Sequence, residues 1–139
     1  MFLLCREGGG FILDIYTLLS GIIEPICPCF VSEYPTDTEK TYPYVVINFP
    51  NSLPNNSFSD NNLLEVDVWD DKGTDIREIE TMTDNIHFVL NNLHYIDAKM
   101  QLTIARNTPY RLKLPDEMIG IQRRQLRYIV KVYKIEGVI

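Results

Sequence analysis

The sequence predicts an α+β domain in which an antiparallel sheet of about four strands carries two packed helices, in the order α-β-β-α-β-β. Three stretches carry this expectation. From Asp75 to Asn92, the residues Ile76, Ile79, Met82, Ile86 and Val89/Leu90, with Leu93 just beyond, recur every three or four positions, the period of a helix with one buried stripe. Leu63 to Trp69 alternates instead, setting Leu64, Val66 and Val68 against Glu65 and Asp67. Arg123 to Ile135 alternates for longer, with Leu126, Tyr128, Val130 and Val132 on one side and Arg127, Ile129, Lys131 and Tyr133 on the other.

The elements follow in order. Asp14 can cap a helix beginning at Ile15, in which Ile15, Leu18, Leu19, Ile22 and Ile23 form a stripe and Pro25 marks the end. Residues 26–34, with Ile26, Phe30 and Val31 among prolines, read as irregular and extended. Tyr42 to Phe49 (YPYVVINF) is β-branched and aromatic, hence a strand. Pro50 to Asn62 is a loop by composition and long for a hairpin connection, and long loops are often functional. The Leu63–Trp69 strand pairs most simply with Tyr42–Phe49. Asp70 to Gly73 is a turn, and Asp75 with Glu78 makes a capping box for the long helix. Gln101 to Asn107 is a short strand, and Thr108 to Gly120, which holds Pro109 and Pro115, reads as irregular.

One hundred and thirty-nine residues at 45% hydrophobic are enough for one domain with its own core. The domain is expected over residues 13–139. Residues 1–12 read as an extension: Arg6-Glu7-Gly8-Gly9-Gly10 can be encoded by purines throughout, like a ribosome-binding sequence read in frame, which places the translation start near Leu13. No run reaches the roughly 18 apolar residues of a membrane span, so no membrane association is expected. The formal charge of -6 hides a division. Residues 1–100 hold 5 basic against 16 acidic side chains, net -11, and residues 101–139 hold 8 against 3, net +5. Such a division suggests a surface that meets a complementary one.

Catalytic signatures are missing. Gly8-Gly9-Gly10 opens no strand-turn-helix unit and lacks the Lys-Ser/Thr that a phosphate loop needs. Aligning Gly73 to the turn of a calcium loop puts Val68 and Lys72 where carboxylates belong. Cys5, Cys27 and Cys29 form no four-ligand set, and a bridge between Cys27 and Cys29 would be strained. His87 flanks the helical stripe, and His94 has a sufficient reason in the favour of a helix C-terminus for a cationic group. No enzyme, cofactor or metal is expected. The remaining cluster is basic: Arg123, Arg124, Arg127 and Lys131, with Tyr128 and Tyr133. Basic and aromatic groups together can hold a nucleic-acid strand, but the alternation divides them between two faces. The preferred reading is a subunit interface through Arg123, Arg124, Arg127, Lys131 and Tyr133, matched to another copy's acidic surface.

The order of these pieces resembles a known family. A short helix precedes Tyr-Pro-Tyr-Val-Val-Ile-Asn-Phe and a polar Pro/Asn loop. Leu64-Glu65-Val66-Asp67-Val68-Trp69-Asp70 then leads into the long helix, and Arg123-Arg124-Gln125-Leu126-Arg127-Tyr128-Ile129-Val130 closes the chain. Over roughly residues 13–135 this is similar to the tail completion, or tail terminator, proteins of long-tailed bacteriophages. The resemblance implies a small α+β virion protein that assembles as a hexameric ring at the top of the tail. Its partners would be the tail tube protein and the head-tail connector proteins, with DNA passing through the ring and Leu53, Asn55, Asn56 and Phe58 of the Pro50–Asn62 loop facing the tube or the lumen. The alternatives are another neck protein, a connector stopper or adaptor, or a nucleic-acid-binding protein using the basic strand.

Overall fold

The computed structural model describes the backbone of residues 10–50 and 62–134 and the side chains of residues 13–50 and 62–133. Eight elements follow in the order α-β-β-β-α-β-β-β: α1 (Gly10–Ile23), β1 (Cys29–Val31), β2 (Tyr44–Asn48), β3 (Asn62–Asp70), α2 (Arg77–Leu90), β4 (His94–Ile96), β5 (Met100–Leu114) and β6 (Gln122–Lys134). The strands form one six-stranded sheet, ordered β1-β2-β3-β6-β5-β4. The class is α+β, but the expectation of about four antiparallel strands is overturned. The sheet is mixed, because β1 runs parallel to β2 and the other pairs are antiparallel.

The two strands missing from the sequence reading are the two edges, each three residues long. Three residues are too few to show alternation, and these strands exist through their partners. Val45 N–H donates to the Pro28 carbonyl at 2.8 Å and Ser32 N–H to the Ile47 carbonyl at 2.9 Å, seating β1 on β2. The outward Cys29 N–H donates to Glu24 Oε1 at 2.8 Å, which leaves that edge less open to a further strand. At the other edge, Asp97 Oδ1 accepts from the N–H groups of Lys99 (2.7 Å) and Met100 (3.0 Å), shaping the tight turn from β4 into β5.

Three further boundaries differ from expectation. Helix α1 is already formed at Gly10, so Asp14 lies inside it and pairs instead with Lys99 at 3.0 Å. Helix α2 starts at Arg77, whose N–H donates to Asp75 Oδ1 at 3.2 Å, while Glu78 turns away from a capping box to meet Lys72 Nζ at 3.1 Å. The segment after Asn107 is strand, not irregular chain. β5 continues to Leu114 through a register shift between Arg106 and Arg111, where Asn107 to Tyr110 bulge out opposite Arg127. His94 belongs to β4 and is not a helix-terminal group. The predicted pairing of the second and third strands does occur, with Val45 opposite Val68 and Ile47 opposite Val66.

Both helices pack on one face of the sheet. Ile15, Leu19 and Ile23 from α1 and Ile79, Met82, Ile86 and Leu90 from α2 meet Val45, Ile47, Leu64, Val66, Val68, Leu102, Ile104, Leu126, Tyr128, Val130 and Val132. Each fully buried aliphatic side chain contributes about 1.5–3 kcal/mol, so this layer stabilises the fold. The intervening residues of the same strands, among them Glu65, Asp67, Trp69, Arg127, Ile129, Lys131 and Tyr133, project from the opposite, helix-free face.

Candidate functional site

Cross-strand register sets the helix-free face out in rows. Asn48, Glu65 and Arg127 share one row, Val46, Asp67 and Gln125 the next, and Tyr44, Trp69 and Arg123 the third. Side chains link these rows. Arg127 lies 3.8 Å from Glu65 and donates to Gln125 Oε1 at 2.8 Å. Gln125 in turn donates to Asp67 Oδ1 at 3.0 Å, and the Arg123 guanidinium reaches the same oxygen at 3.0 and 3.1 Å. Asp67 is only 7% exposed. Burial lifts its carboxyl above the usual range, against the pull of Arg123 and Gln125.

Arg123 also lies 5.1 Å over the ring of Trp69, whose other neighbour is Tyr44, stacked at 4.9 Å. Tyr44 continues to Tyr34 at 4.6 Å and Tyr34 to Phe30 at 4.7 Å. Tyr34, Tyr44 and Trp69 of this run line a groove of about 570 Å³ between the sheet and the segment from Ser32 to Lys40. The groove holds charges of both signs, Asp67 and Glu65 with Arg123 and Lys40. Because Arg123 and Asp67 neutralise each other, the groove offers no concentrated charge to a phosphate or a cation.

On the helix-covered face the charges are also paired. Arg124, 3% exposed, lies under α2 with its Nε 2.7 Å from Glu80 Oε2. Arg111 approaches the other Glu80 oxygen and donates to Asp84 Oδ1 at 2.6 Å. Burial pushes the Glu80 carboxyl up, but the hydrogen bonds from Arg124 and Arg111 outweigh it and hold the group below its ordinary range. Lys72 Nζ stands among Asp70 (3.5 Å), Asp71 (3.7 Å) and Glu78 (3.1 Å), filling the middle of the acidic turn with a tethered cation. The Cys27 and Cys29 thiols are pushed up to about 12, chiefly by burial, so neither is a ready nucleophile.

His87 is held between two tyrosines. Its ring stacks on Tyr110 at 4.6 Å, and Nδ1 lies 2.7 Å from the Tyr128 hydroxyl. Burial, then Arg106 and Arg111, lowers its pKa, and Asp84 opposes them. Burial raises the Tyr128 phenol, so a protonated hydroxyl faces the imidazole. Protonating His87 would place a cation in a partly buried site beside Arg106 and Arg111, which disfavour it. With a folded pKa below the ordinary 6.5, this contribution is complete above about pH 6.5 and is lost as pH falls toward the folded value. Urea midpoints should therefore drop from pH 7 to pH 5, and less steeply in His87→Gln. Equal slopes in the two proteins would remove His87 as the cause.

The five residues expected to form an interface thus have different surroundings. Arg123 and Arg127 are half-buried and bound to Asp67, Gln125 and Glu65, and Arg124 is enclosed beneath α2 on the other face. Lys131 is exposed and Tyr133 is 51% exposed. Leu53, Asn55, Asn56 and Phe58 lie outside the described residues. Two features were not read from the sequence: the Tyr44–Trp69–Arg123 stack and the partnership of Arg111 with Glu80. The alternation of β3 had put Glu65 and Asp67 together, but locating their partners required the β3–β6 register. Among the described residues, no helix is long and apolar enough to cross a membrane. No protein-family model matches the chain, and no curated protein shows significant similarity to it.

Proposed function

We propose that this protein is a structural virion subunit that forms a ring on the phage tail tube, ends tube polymerisation and joins the tube to the head connector. The observation that carries the reading is the one-sided sheet. Helices cover one face, while Ile96 (66% exposed) and Tyr133 (51%) stand uncovered on the other beside Lys131. A sheet closed on one side, with apolar groups left in water on the other, suits a subunit completed by a neighbour.

The tail-terminator resemblance of residues 13–135 supplies the kind of assembly, a hexameric ring between tube and connector with a passage for DNA. The pairing of Arg123, Arg124 and Arg127 with carboxylates of the same chain leaves a nucleic-acid reading with less free positive charge than the sequence suggested. No catalytic step is part of the proposal. Purified tail tube protein polymerising in vitro provides the test. Added protein should halt elongation at a ratio far below one copy per tube subunit. Continued elongation at excess would reject the terminator role, and arrest only after binding the connector would favour a stopper or adaptor.

A further inference from the structure

We propose that the β5–β6 hairpin, with the β4 edge beside it, carries both halves of a head-to-tail contact between copies of this chain. The tip at Glu117, Met118 and Ile119 of one subunit seats on the patch formed by Ile96, Lys131 and Tyr133 of the next. The inference rests on the ring reading and identifies its subunit contact.

The tip is apolar and acidic. Met118 is 62% exposed and Ile119 fully exposed, directly after Asp116 and Glu117. It is also held in shape. Asp116 accepts from Trp69 Nε1 at 3.3 Å and from the Met118 N–H at 3.1 Å, and Gly73 N–H donates to the Gly120 carbonyl at 3.1 Å. Gly120, with φ of 90°, adopts a conformation that favours glycine, which lets the chain turn back into β6. Apolar side chains on a fastened loop lose little freedom on docking.

The patch lies at the far end of the same hairpin. Register places Ile96, Gln101 and Tyr133 in one row across β4, β5 and β6, and His94, Thr103 and Lys131 in the next. Ile96 and Tyr133 therefore project from the helix-free face close to Lys131. Neither Glu117 nor Lys131 has an ion-pair partner among the described residues. An acidic apolar tip and a basic apolar patch are complementary in both respects. At about 3.3 Å per residue, the strand between Gln122 and Tyr133 separates them by roughly 36 Å, so a subunit cannot satisfy its own patch. Contacts between different surfaces at opposite ends propagate in one direction and close into a ring when the rotation allows.

Sedimentation velocity and electron microscopy of the full chain, with circular dichroism to check folding, test the pairing. Ile119→Asp and Tyr133→Asp should each raise the concentration needed for ring formation about tenfold or more, the effect of losing one apolar anchor. Mixed together, these two variants should form dimers but no rings, because only a mixed pair brings an intact tip to an intact patch, and its remaining tip and patch are both damaged. Glu117→Lys and Lys131→Glu should each weaken assembly, and the double variant should restore it. Wild-type rings that persist in all the single variants would overturn the pairing and leave the ring reading standing. A wild type that stays monomeric at every concentration, alone and with tubes, would overturn both. Rings that form normally while only tube attachment is lost would reassign the tip to the tube protein.

Discussion

Glu80→Ala is expected to cost about 3 kcal/mol of folding stability, a loss set by the arginine it leaves behind. Arg124 is 3% exposed, and Glu80 is its carboxylate partner at 2.7 Å. Removing one partner of a buried pair strands the other charge, a cost of about 3–5 kcal/mol. The lower end applies here because the Glu80 side chain is 35% exposed and water can approach it. Arg111 loses a partner as well but keeps Asp84. Replacing both residues, as in Glu80→Ala with Arg124→Met, should recover much of the loss, since no buried charge then remains. Urea denaturation gives the comparison. A single variant within about 0.5 kcal/mol of wild type, the usual range for surface changes, would show that Arg124 is not enclosed.

The second large effect separates the two faces of the sheet. Leu126 and Ile129 lie three residues apart on β6 but project from opposite sides. Leu126 is fully buried under the helices, whereas Ile129 is half-buried on the helix-free face opposite Leu63 and Ala105. Leu126→Ala should cost about 2–5 kcal/mol through lost burial and the cavity left behind. Ile129→Ala in the monomer should cost less, on the order of 1 kcal/mol, because its site opens to solvent. Comparable losses would mean that the second face is as well covered as the first, removing the structural basis for an assembling surface.

These two residues also show what the sequence made legible. Strict alternation in β6 separated Leu126, Tyr128, Val130 and Val132 from Arg127, Ile129, Lys131 and Tyr133, because a strand buried on one side must repeat every two residues. The stripe of α2 was equally readable, and Ile79, Met82, Ile86 and Leu90 are all buried. Short edges left no such trace. Cys29–Val31 and His94–Ile96 become strands by pairing with chain that is distant or lies beyond a turn, and Pro109 in β5 looked like a strand breaker although it falls within a bulge. Proline is tolerated at a bulge because the ladder is already interrupted there.

The charge division had a different fate. Acidic and basic halves of the sequence were expected to meet between subunits, yet Asp67 meets Arg123, Glu65 meets Arg127, and Glu80 meets Arg111 and Arg124 within one chain. Net charge along a sequence carries no information about register, and β3–β6 pairing sets opposite signs side by side. The charges that the proposed contact uses are local: Lys131 at one end of the hairpin and Glu117 at the other. Both belong to residues 101–139, so the proposed assembly joins exposed apolar groups to a charge pair from within the basic portion and not to the original asymmetry.

On the proposed function, the chain completes itself by forming a ring at the end of a tail tube. Electron microscopy of the purified full chain, alone and mixed with preformed tubes, tests it most directly. Closed rings with a central opening, and the same rings seated at one end of each tube, are the predicted result. Dispersed single subunits at high concentration, with bare tube ends in the mixture, would contradict it.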